Sequence, residues 1–134
     1  MVILDGNGTE VFSDRIREPN LQRRVSWIQE RLEDKGCDDA FVDCTGGRGE
    51  AEVEALQQQG INAEPVIFTN KSKTAMLGGL HSALAYDELH LSNPDIKSEL
   101  IDLGDDGKAL TGHDDYVMAL AIAVSAEPQR LIWI

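Results

Sequence analysis

Apolar and polar positions along the chain fall into short blocks, and the period of each block predicts the element there. Met1 to Leu4 form an apolar run that breaks at Asp5-Gly6-Asn7-Gly8, and Val11 to Ile16 resumes a strand-like pattern. Glycine supplies the positive φ angles of a tight turn, so this reads as a β-hairpin. Pro19-Asn20 offers a helix start, and Leu21, Val25, Ile28 and Leu32 recur at helical spacing until Gly36 stops the helix. Asp39 to Asp43 reads as a short, mostly buried strand leading into Thr45-Gly46-Gly47-Arg48-Gly49. Glu50 to Gln59 follows as a helix with acids in its first turn, where the helix dipole favours them, and Ile61 to Phe68 as another strand. Strand, turn, helix and strand in that order make a βαβ unit with parallel strands, so the predicted class is mixed α/β.

The second half is predicted to be mainly helical. Lys71 to Tyr86 has a helical stripe of Met76, Leu77, Leu80 and Leu84, and its interior pair Gly78-Gly79 implies something packed closely against it. Leu89-His90-Leu91 is short and extended, and Pro94 starts a helix through Ile101. Gly104-Asp105-Asp106-Gly107 reads as a turn. Gly112-His113-Asp114-Asp115 then heads Tyr116 to Ala126, a segment apolar almost all round and therefore expected to be buried on more than one side. No internal repeat or linker is visible.

At 134 residues the chain has the length of one domain, and its 42% hydrophobic content suits a globular protein. No apolar run reaches the length of a membrane span, and no basic segment followed by an apolar stretch opens the chain. A soluble, cytoplasmic protein without membrane association is expected, in a bacterial, archaeal or phage-infected cell. Cys37 and Cys44 are too few for a disulfide framework and read as small buried apolar residues. The 24 acidic against 12 basic side chains, a net charge of −12, argue against a protein that coats nucleic acid. They leave open an enzyme that acts on it.

Two segments place carboxylates at the end of a buried element. Asp43 ends its strand beside the glycine-rich turn, and ligands of open α/β sheets bind at that end of the strands. Asp114 and Asp115 stand at the head of the apolar helix. If that helix packs near the strand end, three hard oxygen donors converge, a set that suits Mg²⁺ or Mn²⁺. The competing readings are local: an Asp-Asp pair before a helix serves as an N-cap, and Asp43 as a turn carboxylate. The glycine turn lacks the Gly-Lys-Ser/Thr ending of a nucleotide P-loop.

Taken together, Val42-Asp43-Cys44-Thr45-Gly46-Gly47-Arg48-Gly49, Pro65 to Lys73 and Gly112-His113-Asp114-Asp115-Tyr116-Val117-Met118-Ala119-Leu120 resemble the C-terminal nuclease domain of the large terminase subunit of tailed phages. The resemblance runs from the first hairpin to about Ala126. It implies one RNase H-like nuclease domain over residues 1–134, a mixed sheet flanked by helices. It also implies endonucleolytic cleavage of double-stranded DNA by two metal ions during genome packaging. On this resemblance Asp43, Asp114 and Asp115 are catalytic metal ligands and His113 is a catalytic residue beside them. Lys71, Lys73 and Arg48 contact substrate phosphates, the alternative for each being a solvated surface role. The terminase ATPase domain, the small terminase subunit and the portal protein are the implied protein partners.

One departure from the family pattern matters. RNase H-like domains open with a central strand bearing a metal-bridging aspartate, whereas this chain opens at what resembles the second strand, with Asp5 in the hairpin turn. The first central strand is thus expected to be missing, as is an N-terminal ATPase motor. Loss of that strand exposes a sheet edge through which the chain is expected to self-associate. The alternative function is a catalytically silent fragment acting as an interaction module; a sugar-kinase or actin-like ATPase fragment fits less well, because the His-Asp-Asp helix is not part of that pattern.

Overall fold

In the computed structural model, residues 1–103 and 114–126 are described; the predicted turn at Gly104 to Gly107 and the residues Gly112 and His113 lie outside them. The chain divides into two compact units, Arg15–Thr69 and a second made of Met1–Asp14 with the chain from Asn70 onward. Each contains its own two-stranded sheet with helices, so the chain is mixed α/β as the pattern predicts, while the described strands form two separate ribbons and not the single mixed sheet that the resemblance implies.

In the Arg15–Thr69 unit the first helix, α1 (Leu21–Lys35), starts where Asn20 accepts the Arg23 amide on its side chain, and ends at Gly36 in the left-handed conformation. Strand β3 (Asp39–Asp43) leads through a short 3₁₀ turn, Thr45–Gly47, into α2 (Glu50–Gln58), and β4 (Asn62–Val66) returns parallel to β3 with Phe41 opposite Glu64. The helices cover one face of this ribbon: Val25 of α1 and Val53 and Leu56 of α2 bury Cys44 and Ala63, with Ala40 and Val42 packed alongside. Arg24 ties the helices together, its guanidinium donating to Glu52 at 2.6 and 2.9 Å and to the Glu18 and Pro19 carbonyls.

Two expectations change here. β3 is not mostly buried: its side chains alternate, and Asp39, Phe41 and Asp43 are exposed on the face opposite the helices. The second strand is shorter than its apolar pattern, ending at Val66 and leaving Ile67 exposed. Cys44 is buried as expected, but Cys37 is only partly so. The Asn62 amide donates to the Asp38 carbonyl and the Cys44 amide to the Val66 carbonyl. Alternation along a parallel ladder then turns the nitrogen of Pro65 away from β3, where its missing N–H leaves no bond unmade.

In the other unit β1 (Val2–Leu4) pairs antiparallel with β2 (Glu10–Ser13), Ile3 opposite Phe12. Asp5 organises the connection, its carboxylate accepting the Asn7 and Thr9 amides at 2.8 and 2.9 Å. Those backbone bonds hold the Asp5 carboxyl below the usual range. Helices α3 (Asn70–Ala85), α4 (Pro94–Asp102) and α5 (Asp115–Ala126) supply the rest. Leu80, Ile96, Tyr116, Val117, Leu120 and Ala121 form the core, with Val2, Leu4, Met76 and Leu77 against it. α5 is thus buried on more than one side, as its composition requires. The stripe of α3 runs through Ala83, which is buried, while Leu84 is exposed. Gly78 and Gly79 have nothing packed against them among the described residues, which corrects the close neighbour their pairing implies.

Glu10 is the polar keystone of this unit. It is 9% exposed, and its carboxylate accepts from the Ser13 hydroxyl at 2.5 Å and from the Ser92 and Asn93 amides at 2.8 and 3.0 Å, just ahead of α4. Burial pushes its pKa up, but these three donors outweigh burial and hold it below the usual glutamate range. A carboxyl depressed in the folded state gives stability that is complete above its unfolded pKa and is lost as pH falls through the folded one. The melting temperature should therefore drop on acidification below about pH 4, and Glu10→Gln should flatten that drop while costing about 2 kcal/mol at neutral pH. Melts followed by circular dichroism across that range check it; a Gln variant with the parent's acid slope would remove Glu10 from the account.

Candidate functional site

Asp43 is placed by the alternation of β3. Ala40, Val42 and Cys44 turn toward the helices, so Asp43 ends the strand on the open face. One carboxylate oxygen, Oδ1, accepts the Thr45 amide at 2.9 Å, and the Thr45 hydroxyl in turn accepts the Phe68 amide at 2.8 Å. The turn role weighed for Asp43 is therefore real, and it occupies Oδ1 while Oδ2 has no hydrogen bond among the described residues. Beyond it the chain passes Gly49, whose φ is 81° and whose Cα approaches so closely that a Cβ would stand 2.6 Å from the Asp43 carbonyl oxygen. Arg48, between the two glycine bends, is exposed and makes no ion pair among the described residues.

Asp114 and Asp115 belong to the other unit, as do Lys71 and Lys73. α5 starts at Asp115, and the amides of its first turn need acceptors. A side chain from α4 meets that need: Oε2 of Glu99, which is 6% exposed, accepts the Tyr116 amide at 2.8 Å and the Val117 amide at 3.1 Å. The N-cap reading of the Asp-Asp pair thus gives way to a different division of labour. Asp114 Oδ2 lies 3.7 Å from the Lys73 ammonium, and the exposed Asp115 carboxylate has no partner among the described residues. Lys71 is exposed, also without an ion pair among them. Of the residues singled out from sequence, the structure brings together Lys73 and Asp114; His113 lies outside the described residues.

Glu99 is the residue that sequence reasoning misses. Its signal is an acid on the apolar face of a helix, three positions after the fully buried Ile96 and next to Leu100. A lone charge on such a stripe is costly unless it is hydrogen-bonded, and here it is.

Asp43 in one unit, and Asp114 and Asp115 in the other, each offer carboxylate oxygen, the donor type that a hard divalent cation takes. No three His, Cys, Asp or Glu side chains form a ready metal cluster among the described residues. Thiol chemistry is disfavoured at both cysteines: burial, then the neighbouring acids, push the Cys44 and Cys37 thiols up, away from the reactive thiolate. No helix among the described residues is long and apolar enough to cross a membrane. Comparison of the chain with protein-family models, with curated proteins and with solved structures gave no match.

Proposed function

We propose that this chain is a terminase-type nuclease domain of RNase H-like fold that cleaves phosphodiester bonds of double-stranded DNA with Mg²⁺ or Mn²⁺. The observation that carries the proposal is the state of the aspartates at the head of α5: Glu99 caps the helix, so among the described residues Asp114 and Asp115 hold their carboxylates at its tip uncommitted to backbone amides. Asp43 at the carboxyl end of a parallel strand supports the same reading.

In this reading Asp43 in one unit, and Asp114 and Asp115 in the other, are the residues that would hold cations, and the chemistry such ions would supply is polarisation of a phosphate and a lowered pKa of bound water. His113 assists as a proton carrier or by orienting a ligand. Lys73 balances Asp114 in the absence of a cation and, with Lys71 and Arg48, meets the phosphates of the substrate. Contacts of this kind carry no base information, so cleavage is indifferent to sequence. The protein partners are those of a packaging complex: the terminase ATPase domain, the small subunit or the portal protein. Self-association is assigned to the edge of β3 that β4 leaves unpaired among the described residues.

The test is relaxation of supercoiled plasmid in Mn²⁺ or Mg²⁺ with EDTA as the control. Metal-dependent nicking is expected. A folded chain that leaves the plasmid intact under every metal condition overturns the nuclease and leaves the silent interaction module.

A further inference from the structure

We propose that Glu99 is a positioning residue for the carboxylate pair, an inference that rests on the metal reading above. The physical problem is general: the first amides of a helix attract the nearest carboxylate, and an aspartate at the helix start normally folds back to satisfy them. An aspartate used in that way presents its oxygens to its own backbone and offers a cation less. In this protein the acceptor arrives from α4. Oε2 of Glu99 takes both the Tyr116 and the Val117 amides, 17 and 18 positions along the chain, and its burial keeps water from competing for them.

One consequence follows for the site. Asp114 and Asp115 are released from capping among the described residues, where Lys73 approaches Asp114 at 3.7 Å and Asp115 is exposed. Glu99 is thus placed to act on the cation through the aspartates, without itself being a ligand.

The experiment compares the full chain with Glu99→Gln and Glu99→Asp, using Mn²⁺ alone as the probe. Glutamine keeps the reach and an acceptor oxygen; aspartate keeps the charge but is one methylene too short. Free Mn²⁺ is counted by electron paramagnetic resonance, and exchange of the Tyr116 and Val117 amide protons is followed by nuclear magnetic resonance. Expected is a Glu99→Gln chain with both amides protected and Mn²⁺ affinity within about threefold of the parent, and a Glu99→Asp chain with both amides exchanging faster and affinity lower by about tenfold or more. Parental Mn²⁺ affinity in Glu99→Asp, or equal losses in the two variants, overturns the proposal. If Glu99→Asp loses its helical circular dichroism, the other variant decides: protected amides and near-parental affinity in Glu99→Gln support the role, and their loss overturns it. Asp114→Asn and Asp115→Asn run alongside. Mn²⁺ binding unchanged in both sinks the metal reading itself, whatever the amides report about the cap.

Discussion

Mn²⁺-dependent plasmid nicking should fall about a hundredfold or more in Asp43→Ala and again in Asp115→Ala, with thermal stability close to that of the parent. The expectation comes from what each carboxylate does in the folded chain. Asp115 is exposed and holds no partner among the described residues, so its removal takes nothing from the core; Glu99 continues to cap α5. Asp43 contributes one turn bond, to the Thr45 amide, whose loss costs about 1 kcal/mol. Neither change endangers a folded state, yet each deletes an oxygen donor assigned to the proposed cation. Asp114→Ala should lose less than Asp115→Ala if the Lys73 pair keeps Asp114 partly occupied. Nicking rates over a range of Mn²⁺ concentrations check this, and full activity in both Asp43→Ala and Asp115→Ala would remove these residues from the reaction.

A large effect on stability is expected at Gly49. Alanine there must adopt a φ of 81°, and its Cβ would lie 2.6 Å from the Asp43 carbonyl oxygen and 2.9 Å from Cγ1 of Val42. The left-handed conformation costs roughly 1 kcal/mol and the overlap about 2 more, because both neighbours are fixed in the β3–β4 ladder. A loss near 3 kcal/mol in urea melts is expected, together with a displaced Asp43. Gly47 provides the control: its φ is 79°, but a Cβ there meets nothing within 4 Å, so Gly47→Ala should cost only about 1 kcal/mol. Equal losses at the two glycines would show that conformation alone, and no close approach, governs this turn.

Much of the fold is legible from short-range signals. Asn20 and Gly36 bracket α1 because capping and the left-handed stop are decided within a few residues. The βαβ unit follows from the order of its periods, and the hairpin from its Asp-Gly and Asn-Gly turn. Burial is harder to read. Phe41 belongs to an apolar run, but only one face of β3 has helices against it. Gly78 and Gly79 are open although glycine pairs in helices elsewhere mark close packing. In the candidate site, Asp43 and the Asp114-Asp115 pair are visible as carboxylates at element ends, because end positions show in the pattern. Whether an aspartate caps its own helix is decided by Glu99, whose bond to Tyr116 joins residues 17 apart and leaves no local trace.

Pro65 has a consequence for how this protein behaves at high concentration. A β-ribbon with two competent edges can recruit copies of itself without limit, which is how fibres begin. Here the pyrrolidine nitrogen occupies the outer side of β4, so a newcomer finds a missing donor at the fourth position of a five-residue strand. Recruitment of another copy through this ribbon would meet fewer obstacles at β3 than at β4, and the ring of Pro65 therefore works against growth of the ribbon from both sides.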